Sequence, residues 1–453
     1  MTVRTGPFSI LDELNCYFDS AAEPNNVHLE VWLPGHLSPE KLGTAAAAAA
    51  ADVPAARARR APGAWWRASY AWQFPLESDI DPVSVTCWRN DTELDSARAR
   101  FLAAAPELHR SPPFRLLLAQ GPQWDSVILN AHHAAFDGRS CLRLLSLIAD
   151  RYSAGQPPEA PGPDHVSVAA ARSAGQAVPR PAGSTSPARG LPLPVRRTAR
   201  IAPQHEEPHA ARGAPGYGVS LLEWPGVPAP KKPAGGSRVT VNDLLVAALI
   251  QTITRWNTAR GRRPARIRIS MPIDTRPPGH ADDLGNLSRL CTITVDSPRG
   301  SELAAAVADQ TRQAKGTSGP SAGPVQMAVA RVRLPIPVKR GLVRLGLYIL
   351  GRIECDSSLL SNLGNVTDPP TFGMLPPTRM WFSTSAHMPR GLSVGAITVG
   401  GRLQLCFRYR NALLDAAAGQ DFAAEYAAAL SALSEPRAGE PADAQRRLSS
   451  PCA

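Results

Sequence analysis

Apolar positions recur along this chain at two periods, and the changes of period mark its elements. Over Thr240–Trp256, Leu245, Ala248, Leu249, Ile253 and Trp256 return every three or four residues, the stripe of an amphipathic helix, with Thr240 as cap and Asp243 in the first turn. Gly138–Tyr152 repeats the pattern with Leu142, Leu145, Ile148 and Tyr152 on one face. A third helix opens at Ser38-Pro39-Glu40, an N-cap followed by Pro at the first helical position, and runs into Ala45–Ala51; a fourth covers about Asp415–Leu433. Strict alternation at Ile267, Ile269 and Met271 predicts a strand over Arg266–Met271, and the short apolar run Trp124–Ala131 predicts another. Val394–Val399 and Leu403–Arg410 flank Gly400-Gly401, a hairpin with a primed turn.

Proline and glycine interrupt these patterns unevenly. The chain has 45 Pro and 35 Gly, concentrated from about residue 154 to 236, where neither period survives for long. The division that follows is an N-terminal α/β (α+β) lobe over 1–153, a crossover linker over 154–236 containing one strand at Tyr217–Trp224, a C-terminal lobe over 237–434, and a polar tail over 435–453. No internal repeat is visible.

Composition narrows the function. The net charge is +11, but the arginines are dispersed without an aromatic-interleaved stripe, so the charge suits phosphate-bearing cofactors or acidic carrier proteins as well as nucleic acid and by itself does not choose among them. Seven cysteines stand singly with no C-x-x-C, which signals neither a zinc site nor a disulfide framework and suits a reducing cytoplasm. No apolar run approaches the roughly 18 residues of a membrane-spanning helix, and the first residues are not expected to form a secretory signal.

The chemistry concentrates in NAHHAAFDGRS, which sets His132, His133, Asp137 and Gly138 between a predicted strand and a predicted helix. A strand-to-helix loop presents an imidazole at a cleft while the scaffold stays rigid, an acidic group four residues on can fix the loop and tautomer, and Gly138 permits a tight turn. The competing readings are two buried loop histidines or a metal site, although adjacent histidines point apart and no third ligand has a recognisable spacing. A serine hydrolase lacks its G-x-S-x-G elbow.

HHAAFDG resembles the H-H-x-x-x-D-G signature of the chloramphenicol acetyltransferase-like superfamily, which includes peptide-synthetase condensation domains, polyketide-associated acyltransferases and wax ester synthase/diacylglycerol acyltransferases. PFSILDELNCYF, SPPFRLLL, VNDLLVAALI, MPIDTRP, LGNLSRL and SNLGN resemble further segments, in the order found in the wax ester synthase branch. The S-x-x-Q-x-R-L-W opening of peptide condensation domains is missing, and Phe372-Gly373-Met374 is only a fragment of the plant D-F-G-W-G motif.

The resemblance implies two acetyltransferase-like lobes in a V-shaped pseudo-dimer with a tunnel between them. It implies an acyltransferase in lipid or specialised-metabolite biosynthesis, with His133 as general base, His132 supporting the loop, Asp137 paired with Arg276, and backbone N–H groups near Gly138 facing the oxyanion. The donor would be an acyl thioester of coenzyme A or of a carrier protein's phosphopantetheine, with no tightly bound cofactor and no metal, and the acceptor a small alcohol or amine. A cytoplasmic monomer without nucleic-acid partners is expected. Ser361, Asn286 and Asn362 are candidate substrate-binding residues, although each asparagine lies beside or near a glycine and suits a turn equally. Asn242 and Asp243 suit helix capping, while Arg331, Arg333, Lys339, Arg340 and Arg344 suit either a solvated helix face or a phosphate or carrier-protein footprint. The alternative function is a noncatalytic condensation-like module that recruits carrier proteins.

Overall fold

A computed structural model describes residues 4–155, 197–204, 216–230, 238–280, 282–296, 302–316, 332–353 and 355–434. Most of 154–236, all of 435–453 and Arg331 lie outside the described residues. The fold is mixed α/β, with two lobes that each carry helices on a sheet.

The first lobe is built on a five-stranded sheet of β2 (Asn26–Leu33), β5 (Val83–Cys87), β6 (Phe114–Gln120), β7 (Asp125–His132) and β12 (Arg379–Thr384), in the order β12-β2-β7-β6-β5. Strand alternation sends Leu116, Leu118, Val127 and Leu129 to one face, where they pack with Leu42 and Leu144 of α2 (Pro39–Asp52) and α4 (Gly138–Ala154). Leu117 and Ile128 point the other way, against Ala97 of α3 (Asp91–Leu102). A small sheet of β1 (Arg4–Pro7), β3 (Arg59–Arg60) and β4 (Ala71–Phe74) lies beside it, with α1 (Ile10–Phe18) between β1 and β2 in the chain.

The second sheet has the order β10-β9-β11-β13-β14-β8, from β8 (Tyr217–Trp224), β9 (Ile267–Asp274), β10 (Ser288–Val295), β11 (Ser358–Val366), β13 (Leu392–Val399) and β14 (Arg402–Arg410). α5 (Val241–Ala259) and α8 (Ala416–Ser434) join its core through Leu249, Trp256, Phe422 and Tyr426, and the Tyr426 hydroxyl donates to the Leu245 carbonyl at 2.9 Å. α6 (Leu303–Gly316) and α7 (Ile336–Ile353) complete the helices. The turn between β13 and β14 has φ of +56° and +73° at Gly400 and Gly401, the left-handed pair a primed hairpin turn requires. No helix of the described residues is long and apolar enough to cross a membrane.

The chain order does not separate the sheets. β12 comes from the C-terminal half yet pairs antiparallel with β2, Trp381 opposite Glu30, as the edge of the first sheet. To reach it the backbone passes so close to β13 that a Cβ on Gly395 would lie 1.8 Å from the Phe382 carbonyl oxygen. Only glycine fits there. This crossing ties the lobes together and sets a cavity between them.

Candidate active site

β7 delivers the histidine motif and α4 receives it. His132 is buried; its Nδ1 accepts the Ala134 N–H at 3.0 Å, and its Nε2 lies 3.7 Å from Asp19 Oδ2. Burial alone would raise the Asp19 carboxyl, but hydrogen bonding from His132 and from the Asn25 N–H outweighs it and holds the group below its ordinary range. His132 thus braces the loop against the segment after α1.

Asp137 makes no hydrogen bond to the imidazole beside it; its partner is Arg276, the pairing that the family resemblance implies. Its carboxylate caps α4 and clamps the second lobe: Oδ1 accepts from Ser140 N–H at 2.8 Å and Arg276 Nη2 at 2.9 Å, and Oδ2 accepts from Leu287 N–H at 3.0 Å. Arg276 also reaches Asp274 at 3.0 Å and the Ser140 hydroxyl at 2.8 Å, and that hydroxyl donates to the Gly285 carbonyl at 2.8 Å. The helix N-terminus and this arginine occupy Oδ1 and the Leu287 N–H occupies Oδ2, so neither carboxylate oxygen is given to the ring.

His133 is the residue these braces present. Its backbone N–H donates to the Asn25 carbonyl at 2.9 Å, while its Nδ1 is buried without a hydrogen-bond partner. Burial pushes its pKa below the usual imidazole value, against the pull of its own carbonyl and of Asp137, so the ring is neutral at pH 7. It lines a cavity of about 910 Å³ between the lobes, with walls from α1, the motif loop, β9, β10, β11 and the segment after β12.

Asn286 stands at this wall as a bridge rather than a free turn residue. Its Nδ2 donates to Asp12 Oδ1 at 3.0 Å and to the Ala134 carbonyl at 2.8 Å, and its Oδ1 is buried and unpartnered. Ser361 and Asn362 also line the cavity, from within β11 rather than from a turn. The pairing of β11 with β13 slips between Asn362 and Asn365, and Asn362 Oδ1 accepts the Gly364 N–H at 2.8 Å. A bulge with Gly364 at φ +82° breaks the strand locally without ending it.

Gly138 serves space rather than turn geometry. It has no positive φ, but a Cβ there would lie 2.6 Å from the Phe382 ring and 3.0 Å from Leu363. Asp243 caps α5, whereas Asn242 lines the cavity with a buried, unpartnered Oδ1. The basic stretch is not a uniformly solvated face: α7 packs Ile336 and Val343 on Leu14 and Tyr17 of α1, Lys339 is buried 3.8 Å from Glu13, and Arg340 donates to the Asp19 carbonyl at 2.7 Å.

Sequence reading missed the opposite wall. His387 Nε2 lies 3.1 Å from Ser385 Oγ and 3.2 Å from Asn25 Oδ1, and burial together with the charges of Arg390 and Arg408 brings its pKa down to about 3. Asp12, which Asn286 reaches, lies within PFSILDELNCYF, whereas His387 and Ser385 carry no local signal in the sequence.

Comparison with known proteins fits this geometry to relatives. The chain is 32% identical over 436 residues to the uncharacterized proteins MT2362 and Rv2305 of Mycobacterium tuberculosis, covering 93% of this chain and 98% of theirs. The chain belongs to their family. No protein-family model matches it. Among solved structures it is similar to the condensation domain of the Monacolin K polyketide synthase MokA, with a TM-score of 0.61 at 15% identity over 96% of this chain and 98% of that one. It is likewise similar to the first condensation domain of the CDA synthetase, with a TM-score of 0.63 at 14% identity over 95% and 96%. The starter condensation domain of rhizomide synthetase RzmA, a mutant solved with C8-CoA and Leu-SNAC, matches with a TM-score of 0.60 at 13% identity over 95% and 94%. The fold is therefore that of the condensation domains. Within the condensation-domain fold, the motif loop and the strand crossing between lobes bound the cavity on which His133 opens.

Proposed function

We propose that this protein is an acyltransferase that moves an acyl group from a thioester of coenzyme A or a carrier protein to a hydroxyl or amine, in lipid or specialised-metabolite biosynthesis. The observation that carries the reading is His133, neutral at pH 7 and set in the wall of a cavity between two lobes. The two-lobed condensation fold and a neighbour solved with C8-CoA and Leu-SNAC add support.

In this mechanism the acceptor O–H or N–H gives its proton to the neutral imidazole as its heteroatom attacks the thioester carbonyl. Backbone N–H groups near Gly138 face the oxygen that becomes negative. The tetrahedral intermediate then expels the thiolate as the C–S bond breaks, and the imidazolium returns the proton to sulfur. A positioned base contributes about 10²–10⁴-fold to such a step. Asp137, Arg276 and His132 act through the loop, without touching the reacting atoms.

The test is thiol release from a panel of acyl-coenzyme A and acyl-carrier donors with candidate alcohols and amines, for wild type and His133→Ala. Turnover by wild type and its loss in the variant are expected. Carrier-protein binding with no turnover from any donor would favour a recruiting module instead.

A further inference from the structure

Four arginines line the cavity, and three have carboxylate partners. Arg276 holds Asp137 and Asp274, Arg139 lies 3.1 Å from Asp274, and Arg268 lies 3.5 Å from Asp356. Arg390 differs. It follows β12 on the wall that carries His387, and among the described residues its one hydrogen bond runs from Nη2 to the Ser385 carbonyl at 3.4 Å. Its Nε is buried without a partner, and no carboxylate among the described residues pairs with it.

The nearby acids are occupied. Glu23 takes the Met388 N–H at 2.9 Å and lies 3.6 Å from Arg410, while Asp356 accepts from the Ser270 hydroxyl beside Arg268. Arg408, fully buried, adds a further positive charge, and it is met by the Asn26 amide oxygen rather than by an acid. This wall therefore carries more positive than negative charge. A guanidinium cannot shed its proton to escape burial, so an unpaired one facing a cavity wants an anion from the ligand.

We propose that Arg390 is the carboxylate subsite for the acyl acceptor, so that the acceptor is an amino acid or hydroxy acid whose free carboxylate lies across the guanidinium while its amine or hydroxyl reaches His133. The proposal rests on the acyltransferase reading and names its acceptor class. The two terminal Nη nitrogens of a guanidinium match the two oxygens of a carboxylate.

Two measurements on full-length protein test this separately from the activity itself. In calorimetric titration, benzoate is expected to bind wild type, benzamide not, and Arg390→Gln is expected to lose benzoate binding at least tenfold. Arg390→Lys, which keeps the charge but not the fork, should fall between. Arg390→Gln should melt no lower than wild type, because it removes an unpaired buried charge. Equal benzoate binding by wild type and Arg390→Gln, or none by either, overturns the subsite; preference for phenyl phosphate over benzoate overturns the carboxylate assignment and points to a phosphate-bearing donor. In the thiol-release assay, matched acceptors such as leucine and leucinamide, or 3-hydroxydecanoate and its methyl ester, should show kcat/KM at least tenfold higher for the acid in wild type, a ratio that collapses toward one in Arg390→Gln. Benzoate binding that depends on Arg390, without turnover from any donor, would sink the acyltransferase reading and leave the anion subsite standing. A preference for the neutral acceptors would sink the acceptor class alone.

Discussion

Asp137 and Arg276, 139 residues apart in the chain, meet at 2.9 Å with side chains only 7% and 3% exposed. The pair fastens the start of α4 in one lobe to the segment after β9 in the other, at the mouth of the loop that presents His133. Removing one partner strands a buried charge, which typically costs about 3–5 kcal/mol. Asp137→Ala and Arg276→Ala are each expected to lower the melting temperature, and the double variant to lose less than the sum of the two. Thermal denaturation of the three proteins checks this; additive losses would mean that the two residues act independently.

The base and its neighbour should separate cleanly. His133→Ala removes a ring that the backbone does not depend on, so it should keep its melting temperature and lose acyl transfer by about 10²-fold or more. His132→Ala removes the acceptor of the Ala134 N–H and the partner of Asp19, so its activity loss should track a loss of stability. Turnover measured alongside melting curves distinguishes the two patterns.

Acid should weaken both activity and fold, for a related reason. Burial lowers the pKa of His133 and His387 in the native state, the latter to about 3, while an unfolded imidazole protonates near 6.5. The unfolded chain therefore binds more protons than the native one between about pH 6.5 and 3. Stability from these groups is complete above about 6.5 and declines as pH falls through that window. The acid limb of the rate should accordingly lie below 6.5, the value for a free ring. Chemical denaturation at pH 7.5, 6 and 5 should show the decline, and His387→Gln should flatten it.

Gly138→Ala tests the fit at the helix start. The added methyl would sit 2.6 Å from the Phe382 ring, on the strand that crosses between lobes, and overpacking of this kind typically costs about 1–3 kcal/mol. Trimming the ring in Gly138→Ala/Phe382→Leu should recover part of the loss. A single variant as stable as wild type would show that the crossing strand yields freely.

Glu30 supports the sheet behind the site. It is fully buried, accepts from Arg98 Nε at 2.6 Å and Nη2 at 2.8 Å, and those charges hold its carboxyl far below the ordinary range against the opposing effect of burial. Glu30→Gln keeps the size but leaves Arg98 without this carboxylate. A loss of about 3–5 kcal/mol in urea denaturation is expected.

The amino-acid order alone determined the local elements and the motif loop. Thr240 and Asp243 cap α5, Ser38 and Pro39 start α2, and Gly400-Gly401 turn the β13–β14 hairpin, because capping, proline geometry and left-handed φ depend on residues a few positions apart. HHAAFDG was legible for the same reason, being continuous between one strand and one helix. Tertiary structure decided which sheet Arg379–Thr384 joins, since strand pairing between β12 and β2 spans some 350 residues and only Gly395 at the crossing hints at it. The Asp137–Arg276 pair followed from the family resemblance, but tertiary structure decided that the Leu287 N–H takes the second oxygen, so that the carboxylate serves α4 and the other lobe rather than the imidazole. His387 and Arg390 joined the cavity wall only through that crossing, and their perturbed chemistry comes from burial and neighbouring charge, which no pattern within the chain encodes.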